Sequence, residues 1–89
     1  MKTPPKRDHD RWLRIFDSPP VADIDPAAPY AAQASYDDGK TWDASHPTTG
    51  HILRLAMTEV LYDERSVEIT GDVVTVQQPV LLARYTPTH

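Results

Sequence analysis

The sequence predicts a small α+β fold: a meander of four or five mostly antiparallel strands with one amphipathic helix packed across one face. Three observations lead to this prediction: a helical apolar spacing in residues 48–63, a hairpin pattern around Gly71–Asp72, and turn chemistry at residues 37–40. The chain has 89 residues, and a chain of this size buries a single modest core. We therefore expect one domain over residues 11–89, preceded by a basic flexible arm over residues 1–10.

The first regular candidate is residues 11–16, with the sequence RWLRIF. Trp12, Arg14 and Phe16 would share one face of an extended strand, because successive side chains on a strand alternate between faces. The same segment also fits a helical turn through Trp12, Ile15 and Phe16. We favour the short edge strand.

The composition of residues 17–29 predicts a long loop. This segment holds four of the nine prolines in the chain. Proline lacks a backbone N–H and has a restricted φ, which excludes it from a central strand or a helix interior. We expect the apolar side chains of Val21 and Ile24 to attach the loop to the core.

Residues 48–63 carry the strongest helical pattern in the chain. Apolar side chains recur along one helical face, at Ile52, Leu53, Ala56, Met57, Val60 and Leu61. Such a stripe predicts an amphipathic helix that packs on a core. Pro47 suits the first helical turn, and the helix should end near Asp63. The cap would be a hydroxyl side chain that accepts a free backbone amide, namely Ser45, Thr48 or Thr49. The side chains expected in solvent are His51, Arg54, Thr58 and Glu59.

The sequence VEITGDVVTV predicts a β-hairpin. A two-residue turn at Gly71–Asp72 pairs Val67 with Val76 and Ile69 with Val74. These four apolar side chains then share one face of the hairpin. A shift by one residue would divide them between the two faces, so the pattern and the turn agree on one register.

The last predicted strand, residues 80–85, is apolar on both faces for most of its length. One helix covers only one face of a sheet, so a surplus apolar face remains for a partner or for a second copy. We therefore predict a homodimer with these contact residues: Leu81, Ala83, Tyr85, Trp12 and Phe16. The alternative is a monomer in which residues 17–29 fold back over this face through Val21 and Ile24.

Residues 35–42, SYDDGKTW, predict a turn between two strands. The incoming strand runs from Tyr30 to Tyr36. Aspartate then hydrogen-bonds nearby backbone amides, and Gly39 tolerates a positive φ. The strand would resume at Thr41.

This octet resembles the Asp-box motif, which recurs in sialidase-type β-propellers and occurs singly in some unrelated β-proteins. The resemblance implies a structural hairpin in which Asp37 ties the turn and Trp42 lies in the core, with Gly39 at the bend. The catalytic residues of sialidases lie elsewhere, and one copy cannot supply the four or more blades of a propeller. Sialidase activity is therefore not implied. A ligand- or ion-binding turn is the alternative.

No strong catalytic or metal-binding pattern is present in the sequence. The absence of cysteine excludes disulfides and thiolate metal sites. His46 and His51 are five residues apart, whereas a helical zinc pair has a spacing of four. Gly39, Gly50 and Gly71 are isolated, and a turn or a cap explains each of them. We expect no metal, no cofactor and no enzymatic activity, with a small hydrolase or ligand-binding domain around His46 and His51 as an alternative.

Charge is distributed unevenly along the chain. The formal net charge is −4, with about +3 on residues 1–14 and about −7 on the remainder. An acidic body favours a basic partner. We therefore predict a non-enzymatic protein-interaction module, an accessory or inhibitory factor of the kind that phages and plasmids encode. It would dock its acidic surface or an open sheet face on a protein partner such as a basic nucleic-acid-handling protein. The basic arm leaves a nucleic-acid-binding module as the alternative.

The first ten residues combine charge and proline and lack the apolar stretch of a secretion signal. No run approaches the roughly 18 apolar residues that cross a membrane. We therefore expect a cytoplasmic protein with no membrane partner.

Overall fold

The computed structural model describes residues 8–88. The described elements are α1 His9–Phe16, a 3₁₀ helix Val21–Asp23, β1 Pro29–Ser35, β2 His46–Thr49, α2 Gly50–Tyr62, β3 Val67–Thr70, β4 Val73–Gln77 and β5 Leu82–Pro87. Residues 1–7, the larger part of the predicted basic arm, lie outside the described residues. Residues 9 and 10 of that arm belong to α1.

The described strands form one antiparallel sheet in the order β2-β1-β5-β4-β3. This confirms the predicted α+β class with an antiparallel sheet of hairpins. In a simple meander β5 would lie at an edge, whereas here it lies in the centre and pairs with both β1 and β4. Two helices rather than one accompany the sheet among the described residues.

The predicted hairpin of β3 and β4 is confirmed residue for residue. Val67 pairs with Val76 and Ile69 with Val74. Gly71 has a φ of 60°, a conformation that glycine adopts without steric cost at the first position of a two-residue turn. Apolar pattern and turn type therefore determine this register locally.

The core lies between the sheet and α2. Its buried side chains from these elements are Leu53, Met57, Val60, Tyr30, Val74, Val76, Ala83 and Tyr85. The pairing registers place those from the strands on one face, because directly opposed residues in a ladder point to the same side. We call this face the helix side of the sheet.

The caps of α2 are among those that the sequence predicts. The distribution of buried and exposed side chains around the helix differs from the prediction. The Thr49 hydroxyl accepts a hydrogen bond from the Ile52 amide at 3.5 Å, and Asp63 is the C-cap. Pro47 lies in β2 and not in the helix, which was predicted to start earlier. Ile52 is 48% exposed although it was assigned to the apolar stripe, and Thr58 is fully buried although it was expected in solvent. The burial of Thr58 follows from α1, which packs along α2 on the side of Arg54 and Tyr62.

Residues 11–16 belong to α1, so the predicted edge strand is wrong. The Asp8 carboxylate caps this helix by accepting a hydrogen bond from the Arg11 amide at 3.1 Å. From α2, the Arg54 guanidinium lies 4.3 Å from the centre of the Phe16 ring and donates to the Phe16 carbonyl at 3.1 Å. The local pattern permits both structures, and contacts with α2 select the helix.

Residues 17–29 fold back over the helix side, as the monomer alternative required. Val21 is fully buried and Ile24 packs against the core, which confirms their predicted role. A Cβ placed on Gly50 would lie 1.8 Å from the Asp25 carbonyl oxygen. Gly50 is therefore needed for close packing between this segment and α2, and not for the turn or cap that was expected.

Residues 41 and 42 do not resume the strand, and β2 begins only at His46. Asp43 instead bonds to β1. Its amide donates to the Ala34 carbonyl at 3.0 Å, and its carboxylate accepts from the Ala34 amide at 2.7 Å. Because the carboxylate takes the place of a backbone partner, regular pairing starts later than the alternation predicts.

Candidate interaction surface

The side of the sheet opposite α2 carries neither of the two described helices. Its central side chains are half-buried and comprise Ala31, Gln33, Val73, Thr75, Leu82, Arg84 and Thr86. We call this surface the open sheet face. It combines hydroxyl, amide, guanidinium and alkyl groups.

A polar cluster fixes the centre of the open sheet face. The Arg84 guanidinium lies 4.1 Å from the centre of the Trp42 ring and donates to the Gln33 side-chain oxygen at 2.8 Å. The Gln33 amide nitrogen in turn donates to the Asp43 carbonyl at 3.1 Å. These contacts hold the arginine flat against the sheet, so a partner meets an ordered surface.

The turn of residues 35–42 borders the open sheet face and is held by its own side chains. The Ser35 hydroxyl donates to the Asp37 carboxylate at 2.8 Å and accepts from the Gly39 amide at 2.8 Å. The other donors to Asp37 are the amide and the hydroxyl of Thr41, at 2.9 and 2.6 Å. These bonds from the Thr41 hydroxyl, the Thr41 amide and the Ser35 hydroxyl lower the pKa of Asp37 to about 2. The predicted tie by Asp37 is therefore present.

Two other predicted roles in this turn have different outcomes. Gly39 has a φ of 89°, as the turn chemistry requires. Trp42 does not enter the core beneath α2, since it is half-buried on the open sheet face, where Arg84 covers it. The turn directs this ring to the side of the sheet that has no helix.

The residues predicted to form an interface from β5 lie largely inside the monomer. Ala83 is 7% exposed and Tyr85 is 6% exposed, both beneath α2. Leu81 is partly buried against the same core. The interface was predicted on an apolar face without cover, but Ala83 and Tyr85 lie on the helix side of the sheet, which α2 covers together with Val21 and Ile24. The homodimer itself stays a prediction.

Trp12 and Phe16, the other predicted contact residues, lie on α1. Their rings stack at a centroid distance of 5.2 Å with 12° between the planes. The Trp12 indole N–H donates to the Glu59 carboxylate of α2 at 3.2 Å. Both side chains are half-buried, so they contribute mainly to contact between the two helices.

A cleft of about 440 Å³ opens at the end of the sheet that carries the Gly71 turn. Its apolar walls include Ile24, Tyr30, Ile69 and Val74, and its acidic rim includes Asp23 and Asp72. We call it the acidic cleft. The sequence did not reveal it, because its two aspartates belong to distant segments. The only signal was the density of aspartate in the proline-rich loop.

The pKa of Tyr30 depends on the charges around the acidic cleft. Burial raises the pKa of its hydroxyl, and the negative charges of Asp72 and Asp25 raise it further. Carboxylates thus act on the same end of the sheet from two separate loops. A cation placed there would gain from all of them.

The two histidines proposed for a hydrolase are both exposed. His46 lies in β2 and His51 in the first turn of α2. Neither lines the acidic cleft. Across residues 8–88, no three histidine, cysteine, aspartate or glutamate side chains gather as a metal ion would require.

None of the helices within residues 8–88 has the length and apolar character that crossing a membrane demands. Comparison with models of protein families, with curated proteins and with solved structures finds no match for this chain.

Proposed function

We propose that this chain is a non-enzymatic protein-interaction module, which acts as an accessory or inhibitory factor by docking on a larger protein. The observation that carries the proposal is the open sheet face, a broad and ordered surface that neither described helix covers. The partner is a protein with a basic surface, such as the nucleic-acid channel of an enzyme, because the body of this chain carries about −7.

The character of the open sheet face supports protein contact. Arg84 and Trp42 are residue types enriched in protein interfaces, and their mutual contact restrains both side chains before a partner arrives. Less side-chain freedom is then lost on binding. A surface with these properties binds a partner without needing a catalytic group.

Nucleic-acid binding receives less support from the described residues. Trp12, the ring expected to stack on a base, stacks on Phe16 instead. The Arg11 guanidinium lies 4.4 Å from the centre of the Tyr62 ring and donates to the Tyr62 carbonyl at 2.7 Å. These contacts occupy two groups that the nucleic-acid alternative requires.

Affinity capture from the cells that make the protein tests the proposal. Three baits are compared at equal concentration: the wild type, Thr75→Tyr on the open sheet face, and Leu13→Tyr on the exposed side of α1. Both variants add a bulky uncharged ring, so the net charge stays constant. We expect one protein to bind the wild type and Leu13→Tyr, and its yield to fall with Thr75→Tyr.

Two results would contradict the proposal. Recovery of nucleic acid alone, removed by nuclease, would favour the alternative. Capture of no protein by any of the three correctly folded baits would exclude a stable partner. Circular dichroism of each bait establishes that the substitutions leave the fold intact.

A further inference from the structure

We propose that the free edge of β3 and the adjoining acidic cleft bind an extended basic segment of the partner, which adds a strand to the sheet. This inference rests on the proposed function, since it adds a second contact, beyond the open sheet face, through which the same partner protein is held. It follows from the geometry of the edge, from the chemistry of the cleft and from the difference between the two sheet edges.

The hydrogen-bond pattern identifies which backbone groups of β3 face outward. The Gln77 amide donates to the Ser66 carbonyl at 3.0 Å, so these residues form a bonded pair just before β3. Bonded pairs alternate along an antiparallel ladder. Glu68 therefore bonds to β4, whereas the N–H and C=O groups of Val67 and Ile69 point away from it. Because β3 ends the sheet, these groups are placed to pair with another strand.

The other edge of the sheet is built differently. The Gly50 amide donates to the Ala28 carbonyl at 2.8 Å, and the same alternation then directs the backbone of Pro47 and Thr49 outward. Pro47 has no N–H to offer, and proline is a common means of protecting an edge strand. Thr49 is already the cap of α2. Strand addition is thus blocked at β2 and open at β3.

The side chain of Ile69 connects the β3 edge with the acidic cleft. It is 47% exposed although it lies on the helix side of the sheet, and it forms part of the cleft wall. A residue opposite Ile69 on an added strand would point to the same side. That residue would therefore meet the cleft wall directly, next to the rim formed by Asp72 and Asp23.

Lysine or arginine fits this position best. The aliphatic part of either side chain packs on apolar surface while the charged end remains at the polar rim. The walls of the acidic cleft are apolar, and its rim carries two carboxylates. Binding of phosphate groups there is disfavoured for the same reason.

A second copy of this chain fits less well than a basic segment. Two-fold antiparallel pairing of β3 with itself, in the register that bonds Val67 to Ile69 of the other copy, would place the Glu68 side chains of the two copies directly opposite each other. Like charges brought together across an interface oppose association. The occupant is therefore a different chain with positive charge.

A synthetic peptide of alternating valine and lysine, acetyl-VKVKVKV-amide, serves as the probe for this site. Binding is measured by isothermal titration calorimetry at about 150 mM salt, where charges farther apart than roughly 8 Å are screened. The variants are Asp72→Lys at the cleft rim and Asp63→Lys at the C-terminal end of α2, which does not line the acidic cleft. Both change the net charge equally. We expect Asp72→Lys to weaken binding roughly tenfold and Asp63→Lys to change it less than about twofold.

Amide hydrogen exchange locates the peptide independently of charge. The amides of Val67 and Ile69 should exchange rapidly in the free protein and slowly in the complex, because strand addition engages them in hydrogen bonds. A control peptide with glutamate in place of lysine should neither bind nor slow this exchange.

Four outcomes would overturn the inference. These are no binding of the lysine peptide, equal weakening by Asp72→Lys and Asp63→Lys, unchanged exchange at Val67 and Ile69, and slow exchange without peptide in a species of twice the monomer mass. The last outcome would assign the edge to a second copy. If affinity capture still yields a protein partner, any of the first three removes this site and leaves the proposed function standing.

Discussion

The two faces of the sheet are stabilised in different ways. The helix side is closed by apolar packing between α2, the strands and residues 17–29, which are distant in sequence. The open sheet face is ordered by polar contacts of Trp42 and Arg84 and by the neighbouring turn of residues 35–42. We expect packing on the helix side to determine whether the chain folds. We expect the side chains of the open sheet face to determine which surface the folded chain offers to a partner. The free energy of unfolding should therefore fall most for changes on the helix side.

The largest expected effect is that of Leu53→Ala. Leu53 is fully buried, whereas its neighbour Ile52 is 48% exposed. Truncation of a buried leucine leaves a cavity, so the free energy of unfolding should fall by about 2–5 kcal/mol in urea denaturation. Ile52→Ala is the matched control and should cost far less. Equal losses would mean that the helix side is not packed as described.

Gly50→Ala should follow in size. The added Cβ meets the Asp25 carbonyl oxygen at 1.8 Å, and this neighbour is backbone that cannot rotate away. Displacing residues 17–29 from α2 should cost about 1–3 kcal/mol, the usual range for overpacking. Thermal unfolding measures the loss. Gly71→Ala would separate crowding from backbone strain, because a Cβ on Gly71 meets no atom within 4 Å and suffers only from the φ of 60°.

On the open sheet face, Arg84→Met should have a smaller effect. Methionine keeps much of the alkyl stem but loses the guanidinium over the Trp42 ring, a contact worth about 0.5–1 kcal/mol at exposed sites. Urea denaturation gives the value, and Arg65→Met at an exposed position removes the same charge as a control. A loss as large as that of Leu53→Ala would contradict the division between the two faces.

The smallest effect belongs to Asp37→Asn, and it should depend on pH. The pKa of Asp37 is lowered from 3.8 to about 2, so its carboxylate stabilises the fold above pH 3.8. That contribution is lost as pH falls from about 4 to about 2. Unfolding curves of the wild type and Asp37→Asn should therefore differ at neutral pH and converge in acid. A constant difference across this range would show that the charge is not involved.

The sequence predicted those parts of the fold that are held by contacts between residues close together in the chain. The β3–β4 register follows from the Gly71 turn and the valine alternation, and the Asp37 ties follow from the spacing in residues 35–42. The helix α1 was missed because its choice between strand and helix depends on Arg54, which lies on another element. Gly50 was misread for the same reason, since the atom that crowds it belongs to Asp25.

Less of the candidate site than of the fold could be predicted from the sequence. The open sheet face was anticipated from the shortage of helices, but its composition depends on strand pairing between β1 and β5. The acidic cleft joins Asp23 and Asp72, and no local pattern relates two loops that meet only in three dimensions. The position of β3 at the end of the sheet, where its outward backbone groups can pair with another strand, follows only from the strand order.

The central position of β5 also governs how this molecule assembles. The hairpins β1–β2 and β3–β4 share no strand, and β5 is the only described strand that pairs with both. An isolated hairpin is marginally stable at best in water, and joining β1 to β5 requires closing a loop that includes most of the domain. During synthesis, neither half can therefore complete the sheet before β5 has emerged. Cleavage between β4 and β5 would leave both hairpins on one fragment and would remove the strand that joins them into a single sheet.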